Sequence, residues 1–410
     1  MRIVLLIPIG IDRPSGRRYF HLARGLVRLG HRVRILALHA DLAAGGPRRF
    51  VQDGVEIWYV GQMHARKQGS ATLRLRPWAL LRVLIAATWG MIQGVLHSPA
   101  EVYHLGKPQP VNGLAALIAI CLLRRQQFYV DCDDDERYSN RFTARWQRAL
   151  FGAWQWLLPR LAQGVTVNSR ELAVQIVPPG KPTVYVPNGV DLAALVAPDE
   201  ARRSALRRAL GLEGTRVIVY VGTLALHNHP VDLLLAAFAR LAPDWPTARL
   251  LLVGGGEDLP KLQAWVVAHG LAAQVLFTGQ VAHRFVAELL AQAELSVDPV
   301  YDDPVARARS PLKLFESLAL GVPVVTGAVG DRPQWLDQGR AGLLVAPGDV
   351  AALADGLAAL LADPARAAAM GAAGRAHVVR YDWDRLAAQW ATIYGAPAPT
   401  RPAPTPQGHA

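Results

Sequence analysis

The chain has 410 residues, room for two or three ordinary domains, and 51% of them are hydrophobic, so most of it should fold around apolar cores. Lysine and arginine exceed aspartate and glutamate by 44 − 32 = 12, which favours anionic partners; the excess is scattered along helical segments, however, and no nucleic-acid-binding module accompanies it. Cys121 and Cys132 are the only cysteines, too few for a disulfide framework or a zinc site, which fits a reducing cytoplasm.

The opening residues RIVLLIPI read as a buried strand, since the apolar run is too short for a signal peptide and lacks a small-residue exit. A helix follows from Gly16 to Gly30, closed by that glycine, and strands are expected at RVRILALH, VEIWYV, EVYHLG, QFYVDCD, VTVNS and VYVPNG. The longest apolar run, Trp78 to Leu96, is interrupted by Arg82 and Gln93 and is short for a membrane span. It reads as a crossover helix, as does RFTARWQRALFGAWQWLLPRLAQG with Arg141, Arg145, Arg148, Trp146, Trp154 and Trp156. For both, an amphipathic helix lying in a membrane interface is the alternative.

At Pro187-Asn188-Gly189 the pattern stops at a turn, and Asp191 to Leu212 reads as connecting sequence. A second alternating series then runs VIVYVG, RLLLVGGG, VLFTGQ, LSVDPV, VPVVTG and GLLVAPG, with helices between them at Val231–Leu241 and Asp349–Leu361. Two such series predict two doubly wound α/β domains, with ligands at the C-terminal ends of the strands and in the cleft between them. The expected boundaries are 1–190, 191–378 and a closing helix at 379–395. The proline-rich tail 396–410 reads as disordered.

One stretch, SPLKLFESLALGVPVV, puts a cation where a helix disfavours it. Ser310 and Pro311 read as an N-cap and a first-turn proline, so Lys313 lies at the positive end of the macrodipole with Glu316 one turn later. An anion on this helix end resolves the conflict. The free N–H groups at the helix start, those of Ser310 and Leu312 on either side of Pro311, with Lys313, suit a diphosphate, and Glu316 suits a ribose diol. The bland alternative is a solvated i, i+3 pair. By helical spacing, Lys313, Glu316 and Ser317 face the cleft, while Leu312, Phe315 and Ala319 face the sheet.

Glu316, Gly321 and Pro323-Val324-Val325 resemble the second half of the donor-binding signature of the family-four retaining glycosyltransferases of the GT-B fold. The likeness extends over nearly the whole chain: YVPNGVD, YVGTLALHNHPVDLLLAAF, LLLVGGGED, GRAGLLVAPGDVAALADGLAALLADP and RYDWDRLAAQWATIY all have counterparts in that family. It implies two Rossmann-like domains facing across a cleft, and transfer of a sugar from a nucleotide diphosphate donor such as a UDP- or GDP-sugar to an acceptor hydroxyl in glycan, polysaccharide or glycolipid synthesis. It also implies no cofactor and no metal. A non-catalytic nucleotide-sugar or anionic-glycan binder of the same fold, or a sugar-nucleotide epimerase, is the alternative.

The departures are specific. The first motif glutamate is replaced by Ala308, and Thr223 and His229 stand where the family places an arginine and a lysine on the diphosphate. Lys313, Arg307 or Arg309 would then supply the missing charge. The resemblance places Gly222, Gly254, Gly255 and the loop glycine Gly16 near the donor, and His104 at the end of the fourth strand near the acceptor. In DCDDDE, Asp131 to Glu136, close-packed carboxylates need a metal ion or cationic partners. The metal independence of the family favours partners, with Asp131 and Asp133 as candidates beside the reacting centre. The partners implied are a sugar nucleotide, a glycan or lipid-linked acceptor and an anionic membrane surface, at the cytoplasmic face and without nucleic acid.

Overall fold

A computed structural model describes residues 1–395 apart from positions 65, 69–70, 74–75, 141 and 143; Arg141 and the tail 396–410 therefore lie outside the described residues. The first lobe is built on β1 (Arg2–Ile7), β2 (Arg32–His39), β3 (Arg49–Gln52), β4 (Val55–Gln62), β7 (Val102–Gly106), β8 (Tyr129–Cys132), β9 (Gly164–Val167) and β10 (Thr183–Tyr185), with a separate hairpin of β5 (Arg66–Gln68) and β6 (Ala71–Leu73). The sheet order is β10-β9-β8-β7-β1-β2-β4-β3, parallel except for β3 on β4. The second lobe holds β11 (Arg216–Val221), β12 (Ala248–Val253), β13 (Val275–Gly279), β14 (Leu295–Asp298), β15 (Val324–Gly327) and β16 (Gly342–Val345), in the order β13-β12-β11-β14-β15-β16, all parallel.

Central strands such as β1 and β12 are covered on both faces, which is why they read as unbroken apolar runs. β3 and the hairpin escaped the sequence reading because they are short and polar, and β3 is an edge strand. The connecting segment also carries a helix, Glu200–Ala209, capped by Asp199.

Strand order reverses between β1 and β7 in one lobe and between β11 and β14 in the other. Loops leaving the C-terminal ends of these neighbours diverge and open a crevice. The two crevices face each other across the lobe boundary, where Asn228 Nδ2 donates to Ser139 O at 2.8 Å and Arg170 N to Asp331 Oδ2 at 2.9 Å.

One face of the first sheet is covered by helices Pro77–Leu96, Pro110–Ala115 with its continuation Ala116–Leu123, Arg145–Leu161 and Arg170–Ile176. The other is covered by Pro14–Arg28 and by the last helix, Trp383–Ala391, which buries Trp383, Leu386 and Trp390 against Tyr19, Leu22 and Leu26. Gly25 permits this approach, since a Cβ there would stand 2.4 Å from the Ala387 methyl. His21 lies flat on Trp383, with ring centroids 5.5 Å apart. Burial first, and then Arg24, pushes the His21 imidazole down to about 4.

A histidine kept neutral in the folded chain loses to an unfolded chain that binds the proton. Its contribution is therefore present above about pH 6.5 and declines as pH falls toward about 4. Urea midpoints measured across that window should fall less steeply for His21→Gln than for the parent chain; parallel slopes would show that His21 does not drive the loss.

Candidate active site

The second-lobe crevice is lined by the loop after β11 and by the segment leading into helix Leu312–Ala319. Lys313 Nζ sits 2.9 Å from Asp298 Oδ1 and 4.1 Å from the centroid of the Tyr220 ring. Arg332 Nε donates to Asp298 Oδ2 at 2.8 Å. Burial alone would raise the Asp298 carboxyl, but Lys313 and Arg332 outweigh it and hold it below the usual carboxylate range. Arg309 Nη1 donates to Asn228 O at 2.7 Å, beside His229. Burial, then Arg309 and Lys313, keep the His229 imidazole neutral. Lys313, Arg309 and Arg332 therefore share one pocket with the carboxylates Asp298 and Asp303. Thr223, at the family's arginine position, is exposed and does not line the pocket. Arg307 is spent outside the pocket, on Asp302 at 2.6 and 2.9 Å.

One turn beyond Lys313, Glu316 is 7% exposed and its Oε1 lies 2.7 Å from His283 Nε2. Arg17, on the first-lobe helix Pro14–Arg28, feels the Glu316 charge across the boundary. Neither His283 nor Arg17 was legible as a partner, because each comes from a separate element.

Three expectations about this helix need correction. Ser310 is no cap: Pro311 holds the N-cap position without a side-chain bond, and Ser310 Oγ accepts from Asn188 N at 2.9 Å. That contact ties the crossover Pro187-Asn188-Gly189 to the helix start. Ser317 faces the sheet rather than the cleft, donating to Ser296 Oγ of β14 at 2.8 Å. The packed face is Leu314, Phe315 and Leu318, while Leu312 touches the first-lobe core. Ala308, at the position of the missing glutamate, is fully buried in the apolar cluster of the first lobe.

The glycines serve the backbone. A Cβ on Gly16 would stand 1.9 Å from Gly10 O, and one on Gly254 1.9 Å from Gly222 O. Gly255 O accepts from Leu224 N at 3.0 Å, so these loops after β11 and β12 are pinned to each other.

The first-lobe candidates His104, Asp131 and Asp133 are buried and held by partners from the protein itself. Asp131 receives Arg18 Nε at 3.0 Å, Arg18 Nη2 at 3.1 Å and the Thr166 hydroxyl at 2.6 Å. His104 lies 2.7 Å from the Tyr394 hydroxyl and stacks on Trp390, and burial with Arg18 keeps it neutral. Asp133 points elsewhere, to Lys107 Nζ at 2.8 Å; the same ammonium meets Glu136 at 3.0 Å, and Arg137 clasps Asp135 at 3.1 Å. The carboxylate cluster is thus met by Arg18, Lys107 and Arg137. Among the described residues no group of histidine, cysteine and carboxylate side chains is arranged to hold a metal ion.

Comparison with known proteins bears on family and fold. Residues 15–189 match the family described as Glycosyl transferase 4-like domain, and residues 215–363 the family described as Glycosyl transferases group 1. The GDP-mannose-dependent alpha-(1-6)-phosphatidylinositol monomannoside mannosyltransferase of Mycolicibacterium smegmatis is 34% identical over 220 residues, 51% of this chain and 53% of that protein. The chain thus spans about half the length of this relative. Glycogen synthase of Mycobacterium tuberculosis is 25% identical over 92% of this chain and 90% of its own. Among solved structures, sucrose-phosphate synthase of Thermosynechococcus elongatus superposes with a TM-score of 0.77 at 22% identity, covering 96% of this chain and 98% of that one. HepE of Anabaena, in complex with UDP and glucose, gives 0.73 at 18% over 97% and 100%. These structural likenesses establish the two-lobed GT-B fold.

Removing one partner from a buried ion pair leaves the other uncompensated, at a cost of about 3–5 kcal/mol. Arg18→Met should lower unfolding free energy by that order in urea titrations; a loss under about 1 kcal/mol would contradict the structural role given to Asp131.

Proposed function

The chain belongs to the group 1 glycosyl transferases, and on that premise we propose that it moves a sugar from a nucleotide diphosphate donor to an acceptor hydroxyl with retention of anomeric configuration. The observation that carries this reading is the pairing, on one short helix at the lobe boundary, of a cationic pocket with an inward carboxylate one turn away. Arg309 and Lys313 receive the diphosphate, and Glu316 accepts from the ribose hydroxyls in place of His283. Asp298, pinned by Arg332, aims the Lys313 ammonium.

Charge develops on the departing diphosphate as the glycosidic bond breaks. Cations already fixed in a partly dry crevice stabilise it without reorganising. Arg17 adds charge from the opposite lobe, so closure improves the leaving group and excludes water together. His104 and Asp131 hold the first lobe in shape and take no proton from the acceptor. Incoming hydroxyl and departing diphosphate share one face of the sugar, and the diphosphate oxygen accepts the proton.

The acceptor is a glycan or lipid-linked hydroxyl at the cytoplasmic face of an anionic membrane. The excess of basic residues and the phosphatidylinositol monomannoside for which the mannosyltransferase relatives are named support this. GDP-mannose and UDP-glucose head the donor panel.

Hydrogen bonds to charged groups contribute about 1.5–3 kcal/mol each, roughly 10- to 100-fold in affinity. By calorimetry, Glu316→Gln and Arg309→Ala should each weaken donor binding by that factor, whereas Arg307→Ala should not. Equal affinity in parent and Glu316→Gln would refute the ribose assignment. No nucleotide release from any donor, across glycan and lipid acceptors, would refute the transferase reading.

A further inference from the structure

Three neighbouring helices on one face of the first lobe are incompletely covered. Helix Pro77–Leu96 presents Trp78, Leu81, Ile85 and Trp89 outward at spacings of three, four and four, with exposures of 77, 46, 62 and 61%. Its opposite side, with Ala87, Met91 and Val95, is buried on the sheet. By length and composition it is apolar enough to cross a membrane, but that packing makes it part of the lobe. The next helices add Leu122, Leu123, Trp146 and Trp156, exposed by 69, 55, 66 and 58%. Bulky apolar side chains, tryptophan above all, seldom stay this bare together.

The charge on this face has one sign. Residues 77–96, 110–127 and 145–161 contain no aspartate or glutamate. Arg82, Arg125, Arg145, Arg148 and Arg160 are exposed there, and Arg160 stacks over Trp156 at 4.1 Å. Glu171, on the adjoining helix Arg170–Ile176, is bonded to Gln175.

We infer that this tryptophan–arginine face docks on an anionic lipid surface. Tryptophan suits the boundary between headgroups and acyl chains, and arginine suits the phosphates beside it. A second copy of the chain fits poorly: an isologous contact would set arginines against arginines with no carboxylate between them. Orientation follows from topology. Each of the three helices returns against a parallel strand, so Trp78, Leu81 and Trp146, near the N-terminal ends of the first and third, lie toward the cleft, and Leu122, Leu123 and Trp156 lie toward the far edge of the same face. A docked lobe therefore holds the mouth of the cleft at the bilayer, where a lipid-linked hydroxyl enters sideways.

This deepens the proposed acceptor class and is tested apart from it, by co-sedimentation and brominated-lipid quenching of tryptophan fluorescence with the full chain. Phosphatidylglycerol–phosphatidylcholine vesicles should pellet the protein at low salt, and pure phosphatidylcholine should not. Trp78→Ser/Ile85→Ser/Trp89→Ser should weaken vesicle binding by at least about tenfold. Arg145→Gln/Arg148→Gln should weaken it roughly 25-fold at low salt and far less at high salt. Both variants should keep the parent's donor affinity, since these side chains are exposed and none of them lines the pocket around Lys313. No pelleting with anionic vesicles, pelleting indifferent to both variants, or self-association through this face in sedimentation equilibrium would overturn the inference. Donor affinity lost while vesicle binding persists would instead count against the nucleotide site alone.

Discussion

A guanidinium sealed from water must find acceptors for all its hydrogens, and the way Arg18 does so fixes the geometry of the first lobe. It grips Asp131 on β8 with two bonds and donates to Val186 O at 2.7 Å, Pro187 O at 3.0 Å and Asn188 Oδ1 at 3.2 Å. These last three belong to the chain's passage into the second lobe. Asn188 then donates its own backbone N–H to Ser310 Oγ, directly ahead of the helix bearing Lys313 and Glu316. Position thus passes from a buried charge in one lobe to the cationic pocket of the other through consecutive polar contacts. Fully paired networks of this kind specify one arrangement, because any slip leaves a desolvated charge alone.

The two polar centres differ in how completely they are satisfied. Around Asp131 each oxygen has a donor from protein, and aromatic rings from the chain's end close over His104. Around Lys313 the three cations Lys313, Arg309 and Arg332 outnumber the two carboxylates Asp298 and Asp303. The first arrangement gains nothing from a ligand. The second has one more cation than carboxylate, at positions held by Asp298, Arg332 and Tyr220, and it is there that the proposed donor diphosphate would bind.

Much of this was legible in the chain. Strands buried on both faces announce themselves as short apolar runs, and both switch points follow from two consecutive strand–helix series. Lys313 was readable because a lysine in a first helical turn opposes the macrodipole. What escaped were relations between distant elements. Arg18 looks like any helical arginine until Asp131, 113 positions later, folds beside it. Ser310 has the composition of a cap, and only the crossover backbone reveals its true use. Asp131 and Asp133 alternate along one strand end, yet one is claimed by Arg18 and the other by Lys107, so sharing a side in sequence did not mean sharing a role. Ala308 matched a motif position without its chemistry, and it packs into the apolar cluster of the opposite lobe.

The last helix belongs physically to the first lobe, although more than 180 residues of second lobe separate it from β10. On the ribosome, the groove of Tyr19, Leu22 and Leu26 therefore stays open until Trp383 and Trp390 emerge, long after its own strands have been made. Vectorial synthesis delivers the second lobe whole before the first is sealed. The nascent protein must carry an unroofed hydrophobic seam through most of its translation, a natural point for chaperone engagement and for damage by any frameshift or early stop near the end of the message.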